Sequence, residues 1–274
     1  MNSVFKSSYL WLLGLCLVFA VILYWIDPHG LDAKERQLQT TVLFQYRDYN
    51  SQYFAPIPLG HTQDKRKVAL GKLLFVDPRL SGDNSTACVS CHSFALGGTD
   101  ARRVSIGVEG RMGSLNAPTV FNTAFNISQF WDGRAETLEQ QVSGPIHQPH
   151  EMNSNWAEVI AKLSVDHSLR KQFKAIYPDG IAEENIVDAL VSFERALITP
   201  GSSFDRYLNG DTAALDSRAE EGMRRFIEFG CVSCHQGVNL GGNMYQRFGV
   251  FEEFDKDIVM SNHWQGRYAV TGRE

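Results

Sequence analysis

Cysteine is scarce in this chain: five residues among 274, too few for a disulfide scaffold. Charge of one sign is also lacking. The 26 Lys and Arg against 31 Asp and Glu leave a formal charge of −5, with no basic excess to draw in nucleic acid. This slight acidity would suit a basic protein partner. Tandem helical repeats and low-complexity tracts are missing. No segment alternates apolar and polar residues long enough to mark extended strands. With 43% hydrophobic and 21% charged residues, what remains is an ordinary globular balance. It excludes disorder, collagen and coiled coil as whole-chain readings. The length suits one large domain or two of about 100–150 residues.

One long hydrophobic run stands out. Tyr9 to Ile26 is free of charge over eighteen positions, just long enough to span a bilayer. Lys6 precedes it and Asp27 and Pro28 follow; positive charge on that flank favours a cytoplasmic N-terminus. No small-x-small cleavage site follows Ile26, so an uncleaved transmembrane anchor over residues 1–30 is favoured over a signal peptide. Cys16 lies within this run and reads as a buried membrane cysteine. The rest of the chain is then expected outside the cytoplasm, periplasmic in a Gram-negative cell.

After a polar lead-in (31–55), the pattern turns helical. Residues 64–75, 156–165 and 184–197 carry apolar side chains at helical spacing. Ser217 with Glu220 reads as a capping box opening the next helix. Between helices lie stretches rich in Gly, Asn, Asp and Pro at 76–87, 93–118, 144–155 and 236–250. Loops of this length in a compact domain are functional or wrap something; a large prosthetic group would supply the core they lack.

The other four cysteines supply the motif for it. CVSCH occurs at 88–92 and again at 231–235, the c-type haem attachment pattern. On one helical turn, Cys88 and Cys91, or Cys231 and Cys234, share a face and can reach two vinyl groups on one porphyrin edge. His92 and His235 then offer an axial imidazole. A four-cysteine zinc ribbon needs its pairs much closer than the 139 residues between Cys91 and Cys231. A redox C-x-x-C needs no following His, and structural disulfides do not explain two identical pentapeptides. The expected cofactors are therefore two covalently bound haem c groups.

With both sites in view, the chain from about residue 56 onward resembles the bacterial dihaem cytochrome c peroxidase family. The stretches that carry the likeness are ALGKLLFVDPRLSGDNSTACVSCH (69–92), SIGVEGR (105–111), NAPTVFNTAFNISQFWDGRAETLEQQVSGPI (116–146), ALITPGSSFDRYLNGD (196–211) and GCVSCHQGVNLGG (230–242). The resemblance implies an all-α fold of two cytochrome c-like haem domains with long loops, a peroxidatic one at 56–200 and an electron-transfer one at 201–274. It implies reduction of hydrogen peroxide at the His92 haem, with electrons relayed through the His235 haem from a small cytochrome c or a membrane quinol. Glu151 matches the distal glutamate, Gln141 the distal glutamine and Trp131 the tryptophan between the haems. Asn116 matches a residue that helps hold a calcium ion, and a homodimer is one assembly the resemblance leaves open. His147 and His150, beside the distal loop, are satisfied or exposed by default.

Two departures alter these implications. Well-known members place a His ligand in a segment like SIGHG; here Val108 stands there, and valine cannot bind iron. The first haem is then expected to be five-coordinate or to hold only water. Residues 266–274, GRYAVTGRE, match a segment that family members follow with several dozen further residues, including the methionine ligand of the second haem. The chain is thus expected to lack that stretch, with Met244 and Met260 as core filler. Two other functions keep the same fold: a dihaem oxidase acting on a partner protein, and a non-enzymatic dihaem electron carrier. Peroxide turnover with reduced cytochrome alone separates the first, and two six-coordinate haems the second.

Overall fold

The computed structural model describes residues 52–60, 63–246 and 266–272. The hydrophobic run at 9–26, the proposed anchor and Met260 lie outside these residues. Among the described residues no helix is long and apolar enough to cross a membrane. From Tyr53 onward the chain forms one compact unit.

The secondary structure is helical, joined by long irregular segments. In chain order the α-helices are α1 (Lys65–Phe75), α2 (Cys88–Cys91), α3 (Leu138–His147), α4 (Trp156–Ser164), α5 (His167–Ile176), α6 (Glu183–Ala196), α7 (Ser203–Leu208), α8 (Ser217–Glu228) and α9 (Tyr268–Thr271). Extended pairing among the described residues is limited to isolated bridges such as Ser93 with Thr99 and Ile106 with Met112. The helices expected at 64–75, 156–165 and 184–197 are present within a residue or two. The N-terminus of α8 is corrected by one position. Asp216, not Ser217, is its N-cap, its carboxylate accepting from the Ala219 amide at 2.7 Å, and the charged acceptor also complements the helix dipole. The loop read at 144–155 begins only at Gln148, because α3 continues through Pro145 to His147.

The larger core gathers the apolar faces of α1, α3, α4, α5 and α6. Leu70, Leu74, Phe75, Val159, Leu163, Phe173, Ile186 and Leu190 are each 2% exposed or less. Burying one such side chain is worth about 1.5–3 kcal/mol relative to leaving it in water. The closest helix pair is α1 with α6, and Gly71 permits it: a Cβ there would stand 1.9 Å from the Ala189 carbonyl oxygen and 2.7 Å from Phe193 Cβ. Gly71→Ala gains about 1 kcal/mol of helix propensity, but the obstacle is backbone, so the helices must part. A net destabilisation of about 1–3 kcal/mol is expected in urea unfolding; an unchanged midpoint would show that the crossing yields freely.

Polar ties hold the loop before α2 on this core. Arg79 binds Asp77 at 2.9 Å and Asp166 at 3.1 Å, and Lys162 Nζ donates to the Ser81 carbonyl at 2.5 Å. A second, smaller core forms from Phe54, Met223, Ile227 and Val232, flanked by Phe204, Tyr207 and Phe226. Phe54 meets Phe204 edge to face at 5.4 Å. Buried Asp205 accepts from the Ile57 amide at 2.9 Å and from the Ser202 hydroxyl at 2.8 Å, which closes the N-terminus of α7. One CVSCH pentapeptide borders each core. Asn239 bridges the segments around them, donating to Asn126 Oδ1 at 2.8 Å and to the Asn122 carbonyl at 3.1 Å.

Candidate functional site

The two pentapeptides fold alike. In the first, α2 is a single turn closed by the His92 amide on the Cys88 carbonyl at 3.0 Å. In the second, a 3-10 turn at Cys231–Ser233 is closed by the His235 amide on the Cys231 carbonyl at 2.9 Å. The imidazoles are anchored alike too. His92 Nδ1 lies 3.1 Å from the Gly98 carbonyl oxygen, and His235 Nδ1 lies 3.0 Å from that of Leu240. A carbonyl can only accept, so Nδ1 carries the hydrogen and Nε2 keeps its lone pair for a metal. Burial lowers the pKa of His92, only partly offset by hydrogen bonds to the Gly98 and Pro118 carbonyls, which favours the neutral form that a ligand must have.

The first pentapeptide opens on a partly open cavity. Cys88, Cys91 and His92 line it together with Gln141 and Glu151, among apolar walls from Phe75, Val142, Ile146, Met152 and Leu190. The thiols of Cys88 and Cys91 are unbridged. Burial pushes the Cys88 thiol up to about 12, and burial also raises that of Cys91. Two neutral thiols, an imidazole and an apolar lining on one short segment are the donor set that fits a haem held there. At the second pentapeptide the donors fit in the same way, with Phe226 edge to face with His235 at 5.9 Å.

Glu151 is carried by a loop and held by its neighbour. Residues 107–111 close on themselves through the Gly107 amide on the Arg111 carbonyl at 2.8 Å, and Glu109 and Gly110 turn through φ of 55° and 72°. This loop straps the next: the Val108 amide donates to the Glu151 carbonyl at 2.8 Å, and Arg111 Nη1 donates to the Pro149 carbonyl at 3.0 Å. Gly107 allows the contact, since a Cβ there would lie 2.3 Å from the His150 carbonyl oxygen and 2.4 Å from that of Glu151. Burial raises the pKa of the Glu151 carboxyl, partly offset by the charge of Arg134. Gly107→Ala is expected to displace Glu151 and to lower any turnover that depends on its carboxylate by roughly ten- to a hundred-fold, the scale of a small misplacement of a reacting group. Full turnover in that variant would show that the strap does not position Glu151.

The other sites expected from the sequence lie elsewhere. Trp131 is 52% exposed, and its indole N–H donates to the Asn116 carbonyl at 3.1 Å. These two residues therefore meet each other, and neither lines the cavity. Val108 is buried, yet only its neighbour Gly107 is part of the lining. His147 and His150 are exposed and outside the lining; His147 rests edge-on against Trp156 at 6.0 Å. Met244 accepts from Gln246. Sequence reasoning missed Glu194, a buried acid on α6 that lines the cavity. The signal was present: Leu190 and Glu194 are one turn apart, so the carboxylate occupies the apolar register of its helix.

Comparison with known proteins agrees with this geometry. Residues 65–213 match the family described as di-haem cytochrome c peroxidase. The chain is 46% identical over 209 residues to the cytochrome c peroxidase Ccp of Escherichia coli, covering 76% of this chain and 45% of that protein. It is 39% identical over 233 residues to the cytochrome c551 peroxidase of Pseudomonas aeruginosa, covering 82% and 67%. Among solved structures, a MauG-like protein associated with microbial copper homeostasis superposes with a TM-score of 0.66 at 27% identity, covering 80% of this chain and 68% of that one. The chain thus spans roughly half to two thirds of the length of the curated relatives it matches. The motif order, the paired CVSCH turns and these matches together show that the chain belongs to the di-haem cytochrome c peroxidase family.

Proposed function

We propose that this protein reduces hydrogen peroxide to water with electrons from a cytochrome c or a membrane quinol, using two haem c groups held by Cys88, Cys91 and His92 and by Cys231, Cys234 and His235. The observation that carries this reading is that one cavity collects Cys88, Cys91, His92, Gln141 and Glu151. A haem in this cavity would supply the electrons and the Lewis-acidic iron that cleave the peroxide O–O bond.

The chain's own residues do the rest. His92 offers Nε2 to the iron while Gly98 fixes its ring. Peroxide must lose a proton from one oxygen, and the other oxygen must gain one to leave as water. In this reading the Glu151 carboxylate accepts and returns that proton and the Gln141 amide orients the substrate, which their common place in the cavity lining supports. The apolar walls exclude bulk water, which strengthens each polar contact made inside. The net change is H2O2 with two electrons and two protons giving two waters.

The same reading extends to the whole chain. Residues 56–200 form the peroxidatic domain and 201–274 the electron-transfer domain, each around one of the two cores. Trp131 is an electron relay, and the Asn116 region is the place for a calcium ion. Residues 1–30 anchor the chain to the inner membrane, with the haems on the periplasmic side. The test is direct: haem-loaded protein mixed with reduced cytochrome c should oxidise two cytochromes for each peroxide added. Two covalent haems that stay unreactive toward peroxide would favour the electron carrier instead.

A further inference from the structure

One acid in the cavity wall has no part in this scheme. Glu194 is 8% exposed, and its Oε2 is buried without a hydrogen-bond partner. It lines the same cavity as Cys88, Gln141 and Glu151. Such an atom carries a desolvation cost unless the group is neutral or finds a partner.

Its surroundings offer no free counter-charge. The buried residues of helix α1, Leu70, Gly71, Leu74 and Phe75, are uncharged, and its Lys67 is already paired with Asp188 of α6 at 2.6 Å. The Thr123–Phe125 turn against α6 also brings no charged residue. From α3 comes Glu139, already paired with Arg195 at 2.6 Å on the half-exposed flank of α6. The remaining facing group is Cys88, which loses its ionisable hydrogen once it forms a thioether. Burial first, then the charge of Glu139, pushes the Glu194 carboxyl up to about 8, with Arg195 opposing. At neutral pH the group is a carboxylic acid, able to donate its hydrogen into the cavity.

We infer that Glu194 is a proton-holding residue of the cofactor cavity: on the alkaline side of neutrality, where the oxidised protein leaves it ionised, its carboxylate takes up one proton from solvent as one electron enters the haem held by His92, and releases that proton when the electron leaves. The balance is one electron from the external donor, one proton from water, and one O–H bond formed on Glu194. The direction follows from charge: an added electron makes the cavity less positive, which raises the proton affinity of a buried carboxylate. The role rests on the cavity holding a haem, and not on the identity of the oxidant.

Redox titration of the haem-loaded protein tests this without turnover. In the parent, the midpoint potential of the His92 haem should fall with rising pH on the alkaline side of neutrality, where Glu194 ionises in the oxidised protein. Glu194→Gln keeps shape and neutrality but cannot titrate, so its potential should be flat over the same window. Glu194→Asp keeps an acid and should restore a slope. As a second measurement, the redox-difference infrared spectrum of the parent in that same alkaline window should contain a protonated-carboxyl C=O band that shifts in Glu194→Asp and is lost in Glu194→Gln. Equal pH dependence in parent and Glu194→Gln, or no such band in the parent, overturns the inference. Failure of haem to attach at Cys88 and Cys91 overturns instead the cofactor reading beneath it, and haem content reveals that before any titration.

Discussion

Protein in which Cys88 and Cys91 are both replaced by alanine should carry one covalent haem where the parent carries two, and its peroxide turnover should fall below detection. Replacing Cys231 and Cys234 should likewise halve the haem but leave the cavity at His92 loaded. The two variants differ because the first cavity alone, among the described residues, collects Gln141 and Glu151 beside a pentapeptide. The thiols have no other visible role: they are unbridged, and burial holds Cys88 neutral. Each pair stands on one short turn whose closing hydrogen bond is backbone to backbone, so alanine leaves the turn intact and removes only the attachment. The first variant should also lose stability, because the apolar cavity wall would then lack the covalently tethered group that packs it. Covalent haem is counted per chain after expression with a c-type maturation system. Two haems surviving in either variant, or zinc in place of haem in the parent, would sink the assignment.

Local signals were legible in the sequence, and assembled ones were not. The helices at 65–75, 156–164 and 183–196 announced themselves because an amphipathic face repeats within a single segment. The haem-binding turns were equally plain, since all three donors lie within five residues. The cap of α8 slipped by one position because Asp216 and Ser217 are both good caps and only the backbone decides which is outside the helix. The cavity is a different case. Its wall draws on residues from Phe75 to Glu194, and no pattern along the chain says which of them meet. Glu151 and Gln141 were reached only through resemblance to a family, whereas Glu194 lay outside the motifs and was overlooked. Resemblance suggested a place between the two haems for Trp131; in the described structure its ring is half-exposed and tied to Asn116.

Glu151→Gln should lower the rate of peroxide reduction by about 10²–10⁴-fold, the usual contribution of a general acid–base group, with both haems attached. Glutamine keeps the volume and part of the hydrogen bonding but cannot accept the peroxide proton, so the loss belongs to the chemical step rather than to access. The pH profile supplies an independent signature. A base works only when ionised, and burial raises the Glu151 pKa. Activity of the parent should therefore rise with pH through a point above the ordinary glutamate range, and Glu151→Gln should lose that acid limb. The direction follows from the dominant cause: desolvation disfavours the carboxylate, and Arg134 only partly restores it. Glu151→Asp keeps the carboxylate at shorter reach and should lose less. Gln141→Ala removes one orienting hydrogen bond, worth on the order of ten-fold, and should leave the acid limb in place because an amide does not titrate. The order of effects is the decisive result. If Glu151→Gln turns over as fast as the parent while Gln141→Ala is inactive, then the proton moves through another group, and Glu194 in the same cavity wall is the next carboxyl to replace.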